Sequence, residues 1–531
     1  MVRDTMESKG DFIIRAINAF PVNPKIEQKK KLARRRSIIR EFSLNTSMHG
    51  VPGIARSESV QNRIFWTVAF LIFAGIMFFF VIQAILAYFQ YPTQTSVSII
   101  SDRQQYFPAL TFCNAGALRY DTFQKLLLNY TESMNLTSAA STSAFSSVQA
   151  NIIKVYLPIL INQGVSLDPY MFSLDALMMD CQFGQVQCSA EDFISFYSSA
   201  YGRCYTFNAK TKNNTLYYNY MSSDVTTLTL RLYLYDHLYV SYLIEGVGMT
   251  AMVHDNKQLP LIERAGMTLA PGFKHQMTFT KKTVYSLPSP YSSCTNEIPL
   301  AMKIMFDQYE GADYRYSEDI CYILCAQAYI YEQCGCVFPG QWNARSIVLP
   351  GSNQIIVAPL CNSTDYCFAI AMNNFDATPS IQEKYCSGCS QQCSITNFIV
   401  KSSIMTTPPE WIIGDIKAFV ENSSLPLASD WSTNWREHIH ASYVSLAVSG
   451  ESTLVENYTE VATLGFVDVI SNVGGQTGLW IGISFLSLVE VLEMLYRLVR
   501  YHVYLVRRGL KTNQPNTPKP DYDIESVQVK S

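Results

Sequence analysis

The segment at residues 474–495, GGQTGLWIGISFLSLVEVLEML, combines apolar side chains with four glycines, one glutamine and two carboxylates. On a helix that turns about 100° per residue, small residues and one carboxylate fall in a stripe about 60° wide, and Glu490 borders this stripe. The stripe contains Ser471, Gly475, Gly478, Gly482 and Glu493. Because acidic groups within a pore favour cations, these residue types suggest ion conduction.

Two interpretations of this stripe compete. In the first, Gly474, Gly478 and Gly482 form a small-xxx-small face on which membrane helices pack closely. In the second, the small residues keep a bore open where several copies converge, and Glu490 and Glu493 attract cations near its inner end. We favour the second because packing does not need the carboxylates, although both carboxylates could simply lie at the cytosolic interface.

Two stretches are long and apolar enough to cross a membrane. Residues 64–89 contain no charged side chain, and the same is true of residues 469–489. A bilayer core requires about 20 such residues. The sequence therefore predicts two membrane segments, the second much less hydrophobic than the first.

The charge distribution orients these segments. Residues 1–63 hold 13 Lys/Arg against 6 Asp/Glu, and residues 497–531 hold 7 against 3, whereas residues 64–496 carry a net charge of −14. Basic ends and an acidic middle favour a membrane protein over a nucleic-acid binder. The positive-inside rule places both termini in the cytosol and the long loop between the membrane segments outside.

Cysteines and glycosylation sequons agree with this topology. All 14 cysteines lie between Cys113 and Cys393, which predicts disulfides formed in an oxidising compartment. One sequon, at Asn45, lies in the N-terminal tail and should stay unmodified. The predicted glycosylation sites are Asn129, Asn135, Asn213, Asn362, Asn422 and Asn457.

Periodicity predicts an α+β loop. Strands are expected in YFPALTFCN, in residues 225–285 and in residues 443–466, where apolar and polar side chains alternate in short runs. The Cys-rich stretch opens with EDICYILCAQAYIYEQCGC, which is helix-like.

Seven motifs in matching order carry a family resemblance from about residue 42 to about residue 500. They are SMHGVPGIARS, FPALTFCN, MMDCQFGQVQC, YGRCYTFN, LPSPYSSC, YSEDICYILCAQAYIYEQCGC and SNVGGQTGLWIGISFLSLVE. On these motifs the chain resembles the degenerin, epithelial sodium channel and acid-sensing channel family.

The resemblance implies a homo- or heterotrimer in the plasma membrane that conducts sodium, is commonly blocked by amiloride and needs no cofactor. Each subunit would have two membrane helices and an extracellular region with a β-rich palm, a finger at about 113–204 and a helical thumb at 294–393. The implied boundaries are a cytosolic tail at 1–63, membrane helix 1 at 64–89, an extracellular domain at 90–464, a pore-lining segment at 465–496 and a cytosolic tail at 497–531.

Matching positions also imply residue roles. Gly482, Ile483 and Ser484 align with the selectivity filter, a segment that can be extended rather than helical. Ser471 aligns with a small pore residue whose enlargement holds degenerins open, and Gly478 with a position of amiloride block.

Further roles concern gating and the inner pore. His49 and Gly50 resemble a cytosolic His-Gly pair that influences gating. Tyr291 sits where an aromatic side chain couples the thumb to the first helix. Glu490 and Glu493 resemble carboxylates of the inner pore.

The cysteine order, read through the resemblance, implies seven disulfides and makes a metal site at CGC or CSGC the disfavoured alternative. The implied pairs are Cys113–Cys204, Cys181–Cys188, Cys294–Cys393, Cys321–Cys389, Cys325–Cys386, Cys334–Cys367 and Cys336–Cys361.

Three departures from the family pattern limit what can be carried over. Ile483 is bulky for the filter, which leaves the degree of sodium selectivity open. Pro92 and Thr93 follow helix 1 where acid-sensing members have histidines, and PGQWNARSIVLPGSNQ lacks the carboxylates of the acidic pocket. For the remaining thumb carboxylates we favour a solvated charged face over a proton sensor; they are Asp307, Glu310, Asp313, Glu318 and Asp319.

Other protein classes fit less well. An ATP-gated trimer has ten loop cysteines and a lysine-rich site, whereas this chain has fourteen cysteines and one Lys pair in TFTKKTVY. A non-conducting Cys-rich receptor, or an accessory subunit of a heteromeric channel, explains the disulfides but not the inner carboxylates. An enzyme is disfavoured because the sequence lacks H-E-x-x-H, G-x-S-x-G and nucleotide-binding glycine loops.

Overall fold

The computed structural model describes residues 24–134, 146–219, 226–309 and 311–512, which form two compact units. One unit combines the two ends of the chain, Met1–Pro92 and Ala462–Ser531, and the other is Thr93–Val461. The α-helices of the described residues are α1 (Pro24–Asn45), α2 (Val51–Arg56), α3 (Val60–Phe89), α4 (Tyr120–Ser133), α5 (Ser147–Asn162), α6 (Leu174–Leu177), α7 (Ile262–Ala265), α8 (Leu300–Asp307), α9 (Glu318–Cys334), α10 (Cys367–Ala377), α11 (Pro379–Cys386), α12 (Glu410–Glu421), α13 (Trp431–Ser442), α14 (Phe466–Ile481) and α15 (Phe485–Thr512).

Helix α3 has the properties of a membrane span. It runs for 30 residues, an 18-residue window within it has a mean hydropathy of 2.6, and Met77 is its one buried side chain. Phe65, Leu71 and Phe78 are each more than half exposed in the isolated chain, as expected for side chains that face lipid. The predicted first membrane segment, 64–89, lies within this helix.

The second predicted membrane segment spans a sharp bend. Helices α14 and α15 together are apolar enough to cross a membrane, but their axes differ by 72° at a break of three residues. The predicted pore-lining membrane helix at 465–496 is therefore broken into two helices, and the predicted stripe holds only within each half.

The strands belong to the larger unit and form two sheets and two short pairs. They are β1 (Thr93–Ser101), β2 (Gln105–Tyr106), β3 (Ala109–Asn114), β4 (Met178–Phe183), β5 (Val186–Gln187), β6 (Phe193–Ser198), β7 (Gly202–Phe207), β8 (Tyr218–Asn219), β9 (Leu228–Tyr233), β10 (Met249–His254), β11 (Met267–Leu269), β12 (Phe273–Tyr285), β13 (Ser346–Val348), β14 (Ile355–Val357), β15 (Ser394–Thr406), β16 (Tyr443–Gly450) and β17 (Leu454–Ala462).

The larger sheet has the strand order β1-β17-β12-β16-β9-β4-β5, with β15 also paired to β12, and the smaller sheet has the order β11-β10-β3-β7-β6. Strand β12 pairs with β16 and β17 in parallel and with β15 antiparallel. One core cluster joins both sheets, because Phe112 and Phe207 of the smaller sheet pack in it with Phe279 and Leu446 of the larger. These strands cover the three regions where alternation predicted them.

The Cys-rich region at 294–393 is mainly helical, with α8 to α11 and one β13–β14 hairpin. All fourteen cysteines are paired, in the arrangement that the resemblance implies. The disulfides are Cys113–Cys204, Cys181–Cys188, Cys294–Cys393, Cys321–Cys389, Cys325–Cys386, Cys334–Cys367 and Cys336–Cys361. Such cross-links stabilise a domain chiefly by restricting its unfolded state.

The predicted glycosylation sites differ in accessibility. The exposed asparagines are Asn129, Asn213, Asn362 and Asn422. Asn135 lies outside the described residues. Asn457 lies on interior strand β17, is half-buried, and its Oδ1 accepts a hydrogen bond of 3.0 Å from Thr283. A glycan at Asn457 is therefore disfavoured. The sugar would be attached to Asn457 Nδ2, and this side chain lies half-buried on a strand that is paired on both sides.

We expect each of the four exposed sites to carry a glycan when the chain is made in an animal cell. Replacing each asparagine singly with glutamine should lower the apparent mass of the protein on a denaturing gel by one glycan. Digestion with a glycosidase should abolish the mass differences between the variants and the wild type. Asn45→Gln and Asn457→Gln serve as controls that should leave the mobility unchanged. A shift with Asn45→Gln would contradict the cytosolic placement of the N-terminal tail.

Candidate functional site

The break between α14 and α15 is built around Gly482. Helix α14 ends at Ile481, and Gly482 has a φ of +69°, the left-handed conformation that commonly caps a helix. The backbone N–H groups of Gly482 and Ile483 donate to the Gly478 and Thr477 carbonyls at 3.1 and 3.2 Å. The predicted filter, Gly482 to Ser484, is thus a non-helical linker rather than part of a continuous helix.

A short polar network starts the next helix. The Ser487 N–H donates to Ser484 Oγ at 3.3 Å, and the Ser484 N–H donates to Ser487 Oγ at 3.1 Å. These bonds satisfy backbone donors that a helix leaves unpaired at its first turn. Ser484 therefore has a structural reason to be small and polar, independent of any role in a filter.

The His-Gly pair of the N-terminal segment packs against this break. The His49 N–H donates to the Ile481 carbonyl at 2.7 Å. A Cβ built on Gly482 would lie only 2.8 Å from atoms of the His49 imidazole. Gly50 has a φ of +86°, and a Cβ there would lie 3.1 Å from Phe70 of α3. His49, Gly50 and Gly482, which the sequence assigns to two different functions, are thus in direct contact or adjacent.

Glu490 binds the same N-terminal segment. Its Oε2 accepts hydrogen bonds from Thr46 Oγ1 at 2.8 Å and from the Ser47 N–H at 3.0 Å. Ser47 Oγ also lies 2.6 Å from Ser487 Oγ, and both Thr46 and Ser487 are buried. A carboxylate that accepts several such bonds is held in place. Sequence reasoning missed Thr46, Ser47 and Ser487. The signals it offered were that Thr46 and Ser47 lie beside the His-Gly motif and that Ser487 lies just after the predicted filter.

Glu493 takes part in a second contact with the N-terminal helix. It pairs with Arg497 at 2.7 Å, and Arg497 pairs in turn with Glu41 of α1 at 3.2 Å. All three side chains are about half exposed, so each pair contributes little stability on its own. The two inner carboxylates therefore differ: Glu490 anchors residues 46–47, and Glu493 belongs to an exposed ion-pair network.

Helix α14, which precedes the break, has one face that no other described residue covers. An added Cβ at Gly474, Gly475 or Gly478 would meet no atom within 4 Å, and Ser471 is exposed. On the opposite side, Trp480 stacks on Phe73 and Phe80 of α3 with ring centroids 6.0 and 6.1 Å apart. Helix α14 thus packs on α3 through large side chains and presents its small residues away from it.

Tyr291 lies in the other unit, in the connection between β12 and α8, where its N–H donates to the Pro288 carbonyl at 3.1 Å. It belongs to a different compact unit from the membrane helices, and its assigned coupling role stays a prediction.

An apolar helix long enough to cross a membrane, a glycine-broken second segment and a disulfide-rich α+β unit are the features expected of a membrane protein with a large extracellular domain. The family described as amiloride-sensitive sodium channel matches residues 42–494 of the chain. The chain belongs to this family, which is the degenerin and epithelial sodium channel family that the motifs resemble.

Three relatives in this family are 22–24% identical to the chain over most of its length. Acid-sensing ion channel 1 of Gallus gallus is 24% identical over 492 residues, which cover 89% of this chain and 85% of that protein. Degenerin-like protein asic-2 of Caenorhabditis elegans is 24% identical over 493 residues, covering 86% and 85%. Epithelial sodium channel subunit alpha of Neoceratodus forsteri is 22% identical over 555 residues, covering 88% and 80%.

Proposed function

We propose that the chain is a subunit of a trimeric, sodium-permeable and amiloride-sensitive channel of the plasma membrane, opened by an extracellular stimulus. Both termini lie in the cytosol, and the trimer contains three copies of this chain or this chain with related subunits. The observation that carries the proposal is the glycine-capped break at Gly482, next to a face of α14 lined by uncovered small residues.

The geometry of α14 supports a pore over simple helix packing. Its bulky side chains already pack on α3, so the small-residue face is available to line a bore among three copies. In this linker the Gly482 and Ile483 carbonyls accept long side-chain hydrogen bonds, from Ser487 Oγ at 3.4 Å and from Thr477 Oγ1 at 3.5 Å. Each carbonyl oxygen keeps a second lone pair that can coordinate a partly dehydrated cation. Glu490 contributes mainly by fixing the N-terminal segment below this linker.

The thumb carboxylates argue against proton activation of the acid-sensing type. Asp313 pairs with Lys257 at 3.2 Å, and Asp319 pairs with Arg264 at 2.8 Å. These are exposed ion pairs typical of a solvated surface. The stimulus therefore remains open among a peptide, another ligand, force, and protons acting elsewhere.

The alternative function is a non-conducting receptor or an accessory subunit of a heteromeric channel. The low identity to conducting relatives and the bulky Ile483 in the filter favour keeping this alternative. It predicts surface protein without current when the chain is expressed alone.

Ser471→Val provides the test. The measurement is the resting sodium current of oocytes under voltage clamp. We expect the larger side chain on the uncovered face of α14 to hold the channel open and to raise this current at least about tenfold. Each 1.4 kcal/mol of bias toward the open state changes the ratio of open to closed channels by a factor of ten. Amiloride should block this current. Steps of extracellular pH in the wild type test protons as the stimulus.

The control is Thr67→Val, which also replaces a hydroxyl-bearing side chain with valine, at a partly exposed position of α3. It should leave the resting current unchanged. Surface protein without current in wild type and in Ser471→Val, with a current restored by coexpressing a related subunit, would instead support the accessory role.

A further inference from the structure

Two histidines of the larger unit have ring centroids close enough for both to bind one metal ion. His237 lies in the turn after β9, and His438 lies in α13. Their ring centroids are 6.1 Å apart, with the ring planes at 71°. An imidazole nitrogen lies about 1.1 Å from its ring centroid and Zn–N bonds are about 2.0–2.1 Å, so two imidazoles on one ion hold their centroids roughly 5–6.4 Å apart.

Each ring is already anchored through its Nε2 atom. His237 Nε2 is 2.8 Å from the Pro426 carbonyl oxygen, and His438 Nε2 is 2.7 Å from Asp430 Oδ1. Both partners are acceptors, so each Nε2 must carry the proton and each Nδ1 must present a lone pair. Histidines that bind metals almost always donate their other ring N–H to a carbonyl or carboxylate in this way.

The Nδ1 atom of His237 is unsatisfied. It is buried and has no hydrogen-bond partner among the described residues. A buried acceptor without a partner costs free energy, and an ion or an ordered water is the usual explanation. The His438 ring centroid lies 6.1 Å from that of His237, within the range that two imidazoles on one ion allow, so an ion accounts for both observations.

The surroundings are suited to a cation. Asp430 lies beside His438, and its carboxylate oxygens accept hydrogen bonds from His438 Nε2 at 2.7 Å and from Asn434 Nδ2 at 2.9 Å. Asp236, next to His237, accepts a hydrogen bond of 2.6 Å from Ser442. The His438 side chain is 18% exposed, which gives an ion a route from solvent.

We propose that His237 and His438 bind one divalent transition-metal ion, Zn²⁺ or Cu²⁺, through their Nδ1 atoms, with water in the remaining positions. Imidazole pairs favour these ions over Ca²⁺ and Mg²⁺, which prefer oxygen ligands. The bound ion would fasten the turn after β9 to α13. This site is independent of the pore and of the proposed function.

The test uses the full-length chain purified in detergent at pH 7.5, with Zn²⁺ in competition with a chromophoric chelator and Cu²⁺ followed by electron paramagnetic resonance. We expect one site per chain, with imidazole nitrogen couplings in the Cu²⁺ spectrum. His237→Gln and His438→Gln should each weaken binding more than about tenfold, and Asp430→Asn by roughly tenfold.

His440→Gln is the matched control, since His440 lies on the same helix and is exposed. It should bind like the wild type. The bound ion should raise the thermal midpoint of the wild type and of this control but not of the ligand variants, which shows that the variants are folded yet lack the site. Equal affinity in wild type, His237→Gln and His438→Gln, or no binding of either ion, would overturn the proposal and assign the orphaned nitrogen to an ordered water.

Discussion

Gly482→Ala will lower the sodium current of the channel at least about tenfold at unchanged surface expression. Gly482 has a φ of +69°, and a residue with a Cβ pays about 1–2 kcal/mol to adopt that conformation. The new Cβ would also lie 2.8 Å from the His49 ring, where no real contact is tolerated. Either the linker between α14 and α15 or the N-terminal segment must move.

The measurement is whole-cell current normalised to biotinylated surface protein. Gly75→Ala is the matched control, because Gly75 lies in α3 and an added Cβ meets no atom within 4 Å. It should leave the current unchanged. If Gly482→Ala conducts like the wild type, the left-handed cap is dispensable and the proposed filter geometry is wrong.

A double variant separates the two causes of the expected loss. Gly482→Ala combined with His49→Ala removes the steric conflict and keeps the backbone strain. Recovery of current in the double variant would assign the loss to the contact with His49. No recovery, with His49→Ala alone conducting, would assign it to the backbone conformation of Gly482.

The bend at Gly482 also shows the limit of helical periodicity. Small residues recur at helical spacing from Ser471 through Gly482, so the pattern predicts one straight helix. A glycine can adopt both the conformation of a helix interior and that of a left-handed cap. At Gly482 the chain adopts the cap, and the residue packed against it, His49, is distant in sequence. The family resemblance, which allowed an extended filter, was the better guide at this point.

Other features were within reach of the sequence because their causes are local or compositional. The uncharged stretch at 64–89 predicts α3, and alternation predicts β9, β10 and β12. The disulfide pairs came from the resemblance, since fourteen cysteines alone allow very many pairings. The site at Glu490 was out of reach because Thr46 lies 444 positions away, and no pattern within the segment indicates that partner. The pair His237 and His438 was missed for the same reason.

The second large effect concerns Glu490, for which sequence and structure suggest different roles. If Glu490 mainly attracts cations into a bore, Glu490→Gln should lower the single-channel conductance and leave the N-terminal segment in place. If it mainly anchors Thr46 and Ser47, Glu490→Ala should release that segment. Because Glu490 accepts hydrogen bonds from both Thr46 and Ser47, we expect the second outcome, with docking weakened roughly tenfold.

Cross-linking measures docking directly, without relying on current. Ser47 Oγ and Ser487 Oγ are 2.6 Å apart, so Ser47→Cys with Ser487→Cys should form a disulfide under mild oxidation of permeabilised cells. The backbone N–H of Ser47, which donates to Glu490, is retained in this background. Adding Glu490→Ala should lower the initial rate of cross-linking at least about fivefold, because the segment spends less time docked.

Glu493→Ala in the same cysteine background is the matched control, because Glu493 pairs with Arg497 rather than with residues 46–47. It should cross-link at the unmodified rate. An unchanged rate with Glu490→Ala, together with a lower conductance for Glu490→Gln, would return Glu490 to the cation-attracting role. A slower rate with preserved conductance would mean that this carboxylate acts on the pore through the N-terminal segment, since it then holds the His-Gly pair against the break in the second membrane segment.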